Sequence, residues 1–328
     1  MYEIQEQLKN KISELNDLLS LKYKGVLSLD RNSFRDFIED NIGTIISMKK
    51  LENKHLAMYE AKGGIVGVDG SNNKIGGAYP HFIEIFQGLA KSTLQNNKPI
   101  FKSDIYTPLY SDREKNVLEE DEKVIEEKRN KLLATIEVEV ALESIKKNKP
   151  YAILMDGSLI RYYIYCYDLW MKLREECENN NVLLVGVIED IKTSIIGGKL
   201  GEIDSKMNID AYDRELLFGK LDYGEIIVIN DDVNNKKDSG YASVFMRTSL
   251  SPSVIGMDIL DSQRENLEEM SRLVFTLTPE NSRGIPLWLD LVDKEVKISD
   301  GMIRGLMEKY LDRDVYERFF IAERSKRS

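Results

Sequence analysis

The tripeptide Asp-Gly-Ser occurs twice, at residues 69–71 and 156–158. Each copy follows a short apolar run of the kind that forms a buried strand. Because ligands bind at the carboxyl edge of sheets that contain parallel strands, we expect Asp69 and Asp156 to face one crevice there. Two close carboxylates raise each other's pKa unless a cation neutralises them. The pattern predicts a site for Mg²⁺ or Mn²⁺, which prefer oxygen ligands, and the competing interpretation is that both copies only make turns.

A long helix is predicted between the two tripeptides, and its glutamates are candidates for a third ligand. Glu139 and Glu143 are four residues apart and share a helix face, whereas Glu137 lies elsewhere around the helix. The apolar residues that surround them indicate burial, and a buried carboxylate needs a partner. We expect Glu139 to be the ligand, with Glu143 as the alternative. For any single glutamate the competing interpretation is a solvated helix surface.

The composition indicates that any catalytic chemistry depends on carboxylates rather than on histidine or cysteine. The chain has only two histidines, too few for a three-histidine zinc site, and its two cysteines form neither a Cys-x-x-Cys pair nor a disulfide framework. With 46 basic and 56 acidic residues, the net charge of −10 disfavours a uniformly basic face for nucleic acid. Binding of phosphate groups would therefore need a local groove or bound cations.

The apolar runs are short. The run at residues 182–188 falls far below the roughly 18 residues that span a bilayer, and the N-terminus lacks the apolar stretch of a signal peptide. We therefore expect a soluble, cytoplasmic protein with no membrane association.

The elements that must position the carboxylates follow a definite order. Short turns separate three predicted strands, which indicates an antiparallel meander; a helix, a strand, a second helix and a last strand follow. The first helix starts with a possible capping box of Ser111 and Glu114. This order predicts an α/β fold with an RNase H-like core, a mixed five-stranded sheet flanked by helices.

Three regions are predicted along the chain. Residues 1–60 are expected to form a helical extension that packs on the body or on a second subunit, because apolar residues recur there at helical spacing. Residues 61–312 form the main domain, which ends in C-terminal α+β additions. Residues 313–328 form a tail.

The two strands that end in Asp-Gly-Ser, with a glutamate-bearing helix between them, resemble the NurA family of nucleases. Late in the chain, Gly284-Ile285-Pro286 followed by Asp293 resembles that family's Gly-Tyr-Pro segment and the histidine or aspartate on the helix after it. The resemblance covers roughly residues 60–300. Ile285 stands where many members have tyrosine, and Asp293 where archaeal members tend to have histidine.

This resemblance implies an RNase H-like fold and Mn²⁺- or Mg²⁺-dependent cleavage of DNA, with 5′-to-3′ exonuclease and single-strand endonuclease activity. It also implies a homodimer that works with a hexameric HerA-type ATPase in DNA end resection, repair or defence. By motif matching, the implied metal ligands are Asp69, Asp156 and Asp293, with Glu139 or Glu143 from the helix. Such a set suits a two-metal site, in which cations activate water and neutralise the attacking and leaving oxygens.

Two other classes compete with a nuclease. The first Asp-Gly-Ser copy resembles a phosphate loop of an actin- or Hsp70-like ATPase, although 328 residues leave little room for two duplicated halves. The third possibility is a non-catalytic DNA-binding scaffold with the same fold. Metal-dependent cleavage of single-stranded DNA distinguishes the nuclease from both.

Overall fold

The computed structural model describes residues 6–111, 122–203 and 211–321. Within these ranges the strands are β1 Gly43–Ser47, β2 Ile65–Gly76, β3 Phe82–Ser92, β4 Ile100–Tyr106, β5 Ala152–Asp156, β6 Leu183–Ile188, β7 Glu225–Ile229, β8 Tyr241–Met246 and β9 Ile255–Leu260. The α-helices are α1 Glu6–Lys22, α2 Lys24–Leu27, α3 Arg31–Asn41, α4 Asn53–Ala61, α5 Pro108–Ser111, α6 Glu122–Asn148, α7 Ile160–Tyr165, α8 Tyr167–Asn179, α9 Ile195–Ile203, α10 Asp213–Leu216, α11 Leu267–Leu277, α12 Leu287–Val296, α13 Asp300–Tyr310 and α14 Arg313–Phe319.

Five strands form the predicted RNase H-like core, in the spatial order β4-β3-β2-β5-β6. The strands β2, β3 and β4 are an antiparallel meander, and β5 and β6 continue the sheet parallel to β2. The RNase H-like α/β prediction is therefore confirmed. Its antiparallel part comes from hairpin connections, whereas the parallel part comes from crossovers through α6 and α8.

The predicted number of strands is wrong, because the sheet in the described part of the chain has nine strands rather than five. The C-terminal strands β7, β8 and β9 do not form a separate addition. Instead β9 pairs antiparallel with β6, and the sheet continues through β8 and β7 to β1 at its edge.

The N-terminal segment is not entirely helical, since it contributes β1. This strand contains Thr44, Ile45 and Ile46, β-branched residues that favour extended backbone. Helix α1 precedes it and buries none of its residues against the rest of the chain. Of the two predicted partners of α1, the body of the described chain does not cover its apolar stripe, and packing on a second subunit stays a prediction.

Helices cover both faces of the sheet. One face carries α6, α7 and α8 over a core that includes Val68, Ile153 and Trp170. The other face carries α11 and α12, and the core there includes Leu154 of β5 and Leu289 of α12. At about 1.5 Å per residue, the 27 residues of α6 span roughly 40 Å.

Two predicted features lie partly or wholly outside the residues that the structure describes. Residues 112–121, and with them Glu114 of the expected capping box, lie outside the described residues. In the segment predicted as a tail, α14 is helical, whereas residues 322–328 lie outside the described part. None of the helices that the structure describes is long and apolar enough to cross a membrane.

Candidate carboxylate site

Asp69 and Asp156 lie side by side where the parallel pairing of β2 and β5 ends. Strand β5 ends at Asp156 as predicted, whereas β2 continues beyond Asp69 to Gly76, paired with β3. The last paired residues of β2 and β5 are Val68 and Met155, and each aspartate follows its strand's member of that pair. Side chains alternate between the two faces of a sheet, so the two aspartates share one face. That face carries α12, because a Cβ at Gly67, two residues before Asp69, would lie 3.0 Å from Trp288 and from Val292. The predicted juxtaposition of the two tripeptides is present.

Asp293 joins this pair from α12. Its negative charge contributes to raising the pKa of both Asp69 and Asp156, which reflects its position close to them. The Asp293 carboxylate accepts a hydrogen bond from Lys297 Nζ at 2.7 Å, one helical turn along. The structure thus brings the late aspartate to the edge where the two tripeptides end.

The helix glutamate at the cluster is Glu137. Its side chain is buried, and a Cβ at Gly70 would lie only 2.4 Å from Glu137 Oε1. The Glu137 carboxylate also accepts a hydrogen bond from Tyr162 Oη at 2.6 Å and forms an ion pair with Arg161. Its charge raises the pKa of Asp69 and of Asp156. Glu137 therefore approaches the aspartates from the α6 face.

The structure places Glu139 and Glu143 outside the cluster, contrary to our expectation for the helix ligand. Both carboxylates lie near Lys102 of β4, at 3.4 and 4.0 Å from its Nζ, and Glu143 also pairs with Lys147 at 2.5 Å. Their side chains are partly exposed, whereas Glu137 is buried. Two residues along a helix correspond to a rotation of about 200°, so Glu137 and Glu139 cannot face the same edge.

Burial and crowding of like charges keep Asp69 largely protonated at neutral pH. Burial raises the pKa of Asp69 to about 8, with further contributions from the charges of Asp156 and Glu137, while a hydrogen bond from the Gly70 N–H opposes them. Burial likewise raises the pKa of Asp156 to about 6, against the positive charge of Arg283. A cation bound between these groups would favour their charged forms and lower both pKa values.

The donor chemistry fits a hard divalent cation, since Asp69, Glu137, Asp156 and Asp293 supply only carboxylate oxygens. As the side chains stand, however, no three His, Cys, Asp or Glu residues of the described ranges are grouped so as to hold a metal ion. Two of the four carboxylates are engaged elsewhere, Glu137 with Arg161 and Asp293 with Lys297. The carboxylates therefore fit a divalent cation by ligand type and charge.

A second polar cluster, which sequence reasoning missed, supports the second tripeptide. Asp258 of β9 is fully buried and accepts hydrogen bonds from Ser158 Oγ at 2.7 Å, from Ser243 Oγ at 2.8 Å and from Lys236 Nζ at 2.8 Å to each carboxylate oxygen. Lys236 Nζ also donates to Ser158 Oγ at 3.0 Å. The cluster ties the turn after Asp156 to β9. The signal in the sequence was an aspartate within the apolar run 253–260, since a buried charge needs partners.

Arg283 links the start of helix α12 to the residue that follows β6. Its guanidinium donates to Asp290 Oδ1 at 2.8 and 3.0 Å and forms an ion pair with Glu189, which follows β6. The next residue, Gly284, has a φ of +97°, a conformation that favours glycine. Its carbonyl accepts a hydrogen bond from Thr248 Oγ1 at 2.6 Å. These contacts hold the Gly-Ile-Pro segment at the start of α12, the helix that carries Asp293.

The fold and the site define a mixed α/β protein of RNase H-like topology with an acidic cluster at the carboxyl edge of its central parallel strands. Residues 63–298 match the family model of the NurA domain, which covers most of the chain. The chain therefore belongs to the NurA domain family, as its motifs indicate. Membership makes it a nuclease, a hydrolase that acts on DNA.

Solved structures show only a distant likeness. Endonuclease V from Bacillus subtilis is 12% identical, with a TM-score of 0.39 over 86% of this chain and 94% of that one. Drosophila Piwi is 11% identical, with a TM-score of 0.37 over 71% of this chain and 29% of Piwi. Argonaute of Kluyveromyces polysporus with a guide RNA is 10% identical, with a TM-score of 0.38 over 81% and 30% of the two chains. Likenesses at this level carry no inference about the site, and no curated protein matches the chain.

Proposed function

We propose that this protein is a Mn²⁺- or Mg²⁺-dependent deoxyribonuclease that hydrolyses phosphodiester bonds at the carboxylate cluster. The observation that carries the proposal is the convergence of acidic residues from four elements at one sheet edge: Asp69, Asp156, Glu137 and Asp293. When bound, the cations would activate a water molecule and neutralise charge on the attacking and leaving oxygens.

The residues of the cluster have different proposed tasks. Asp69 and Asp156 are the proposed central ligands, because they directly follow the last paired residues of the adjacent parallel strands β2 and β5 and line one cavity. Glu137 and Asp293 flank them from α6 and α12. Arg161 lines the same cavity as the aspartates and pairs with Glu137, so it places a positive charge beside the carboxylates for a DNA phosphate that enters.

The central test is cleavage of end-labelled DNA in the presence of Mn²⁺, Mg²⁺ or EDTA. We expect degradation from 5′ ends and cuts within single strands, both abolished by EDTA. Asp69→Asn and Asp156→Asn should each lower the rate about a hundredfold or more, since loss of even an outer-shell partner of a metal site costs 10- to 100-fold. Cleavage that persists in EDTA, or that survives both substitutions, contradicts the proposal.

A homodimer is the proposed quaternary state. Helix α1 exposes an apolar stripe that nothing in the described chain covers, formed by Leu8, Ile12, Leu15, Leu18 and Leu19. A second copy of the chain would bury it. Sedimentation should give about twice 37.7 kDa, and the paired change Leu15→Glu, Leu19→Glu should give monomers. A wild-type chain that sediments as a monomer contradicts the dimer.

A HerA-type hexameric ATPase is the proposed partner. A protein of net charge −10 attracts DNA weakly, since that attraction comes from basic residues that displace counterions. A translocase that delivers DNA to the site would compensate. The isolated nuclease should cleave duplex DNA slowly, and ATP together with the ATPase should accelerate cleavage. Equal rates with and without the ATPase contradict this partnership.

A further inference from the structure

A cavity of about 600 Å³ opens beside the carboxylates. Asp69, Asp156 and Arg161 line it, together with residues of α7, α9, the strands β6 to β9 and the loops after β5, β6 and β7. This volume lies in the range of pockets that enclose small organic ligands. The proposed hydrolysis uses only the mouth of the cavity, which leaves its interior without an assigned role.

The interior has one apolar wall. Ile191, Ile229 and Phe245 are buried there, in a core cluster shared with the N-terminal helix α3, and Ile195 at the start of α9 is partly buried against them. Ile160 at the start of α7 lines the cavity as well. An apolar surface of this shape favours a flat, weakly hydrated group such as a nucleobase.

The rest of the lining is polar and carries charges of both signs, with the acidic Glu189 and Asp190 as well as lysines. Lys236 is held in place by Asp258 and Ser158, and its side chain is only 13% exposed. Lys192 and Asn235 also line the cavity, and within the described residues neither side chain has a hydrogen-bond or ion-pair partner. These groups can receive a sugar or a phosphate at the same time as the wall receives a base.

From this geometry we infer that the cavity binds one unpaired nucleotide of DNA, the nucleotide that adjoins the bond to be cleaved. The inference rests on the proposed nuclease function and adds its substrate class. The base packs against Ile195 and Phe245, and the attached phosphate lies toward Asp69 and Asp156. A paired base cannot enter such a cavity, so cleavage requires a frayed end or a single strand.

Filling the cavity should test this inference. Ile195→Trp places an indole in the space assigned to the base, and Ile160→Trp does so from α7 in case the first variant does not fold. Ile203→Trp is the matched control, because Ile203 lies on the same helix α9, is exposed and does not line the cavity. The substrates are single-stranded oligonucleotides that carry one abasic nucleotide or a thymidine at the same position.

Wild-type protein should cut next to the abasic nucleotide about tenfold more slowly than next to thymidine, since stacking of one base contributes on that scale. Ile195→Trp should be slow on both substrates and lose the difference, whereas Ile203→Trp should behave as wild type. Equal wild-type rates on the two substrates, or an unchanged difference in both filled variants, would overturn the inference.

A binding measurement separates this inference from the nuclease proposal. In the variant with Asp69→Asn and Asp156→Asn, titrated in EDTA with an oligonucleotide that carries 2-aminopurine, the fluorescence of that base should change on binding. Adding Ile195→Trp should abolish the change. If wild-type protein cleaves no DNA with either metal, the nuclease proposal fails. If it cleaves but the fluorescence response is the same with and without Ile195→Trp, only the nucleotide pocket fails.

Discussion

Gly70 lies directly under Glu137, and a Cβ at residue 70 would stand 2.4 Å from Glu137 Oε1 and 2.8 Å from its Cγ. Such contacts are too short for any side chain, so the glycine of the first Asp-Gly-Ser copy allows β2 and α6 to approach closely. Gly157, the glycine of the second copy, is required by its backbone, because its φ is +112°, whereas a Cβ there would meet only Arg161 Nη1 at an ordinary 3.8 Å. The same tripeptide thus serves two separate steric needs.

Gly70→Ala should displace Glu137 from the aspartates and lower nuclease activity, because the added methyl group occupies the position of the carboxylate. The fold should survive, since the neighbours that must move are side-chain atoms. The measurement is the rate of Mn²⁺-dependent cleavage. Gly305→Ala on α13 is the control, because nothing lies within 4 Å of a Cβ there and the change should leave activity intact. A Gly70→Ala protein with full activity would show that the position of Glu137 is irrelevant to cleavage.

Glu137→Gln should abolish most of the activity, whereas Glu139→Gln and Glu143→Gln should not. Glu137 is buried beside the aspartates, while the other two glutamates contact Lys102 at the partly exposed side of α6. Partly exposed ion pairs of this kind contribute about 0 to 1 kcal/mol, so the controls should also keep wild-type stability. Cleavage rates of the three variants, measured over a range of Mn²⁺ concentrations, will show which glutamate the reaction needs. An active Glu137→Gln protein beside an inactive Glu139→Gln protein would restore the assignment that the sequence favoured.

Stability without metal should fall as the pH rises. The pKa of Asp69 is about 8 in the folded protein against 3.8 as its ordinary value, so the folded state holds a proton that the unfolded chain releases. The free energy of unfolding contributed by this group is greatest below about pH 4 and is lost as the pH rises to about 8. Thermal unfolding in EDTA between pH 5 and pH 8 measures this slope of stability against pH. In Asp69→Asn the slope should be smaller, and an identical slope in both proteins would contradict the assigned direction.

Lys236→Met should lower the free energy of unfolding by about 3 to 5 kcal/mol, because it leaves the fully buried Asp258 without its cation. Adding Asp258→Asn should recover part of that loss. The control is the next residue, since Lys237 pairs with Asp231 and Asp261 near the surface, where ion pairs contribute about 0 to 1 kcal/mol. Denaturant titration measures all three variants. A loss for Lys237→Met as large as that for Lys236→Met would mean that burial of Asp258 does not set the cost.

The sequence predicts the framework of the site because strands and turns are local. The apolar runs before the two Asp-Gly-Ser copies predict the strands that carry Asp69 and Asp156, although only β5 ends at its aspartate and β2 continues to Gly76. The strand-helix-strand order makes those strands parallel neighbours. Which glutamate of α6 reaches the aspartates depends on contacts with residues that are distant in the sequence. Helix α6 is buried on several sides, so its apolar residues do not mark which face meets the sheet edge, and the partners of Glu137 are Arg161 and Tyr162, which follow β5.

The extra strands escaped prediction for a related reason. The runs that form β7, β8 and β9 were evident as strands, but nothing local to them shows that β9 joins β6 rather than starting a second sheet. The pairing depends on a buried contact between distant residues, since Asp258 of β9 receives the hydroxyl of Ser158. The sequence shows a polar residue, Asp258, in an apolar strand. That pattern indicates that the carboxylate has a buried partner, but it does not identify the partner.

The edge strand β1 has a consequence for the order in which the protein is made. Gly43 pairs with Ile229 and Ser47 with Glu225, so the one strand that pairs with β1 in the described part of the chain is encoded nearly two hundred residues downstream. On the ribosome, at about 5 to 20 residues per second, β1 waits roughly ten to forty seconds for β7 to emerge. During that interval Ile45 and Ile46 and their backbone groups have no native strand to pair with, and a nascent chain in this state is a natural client for a chaperone.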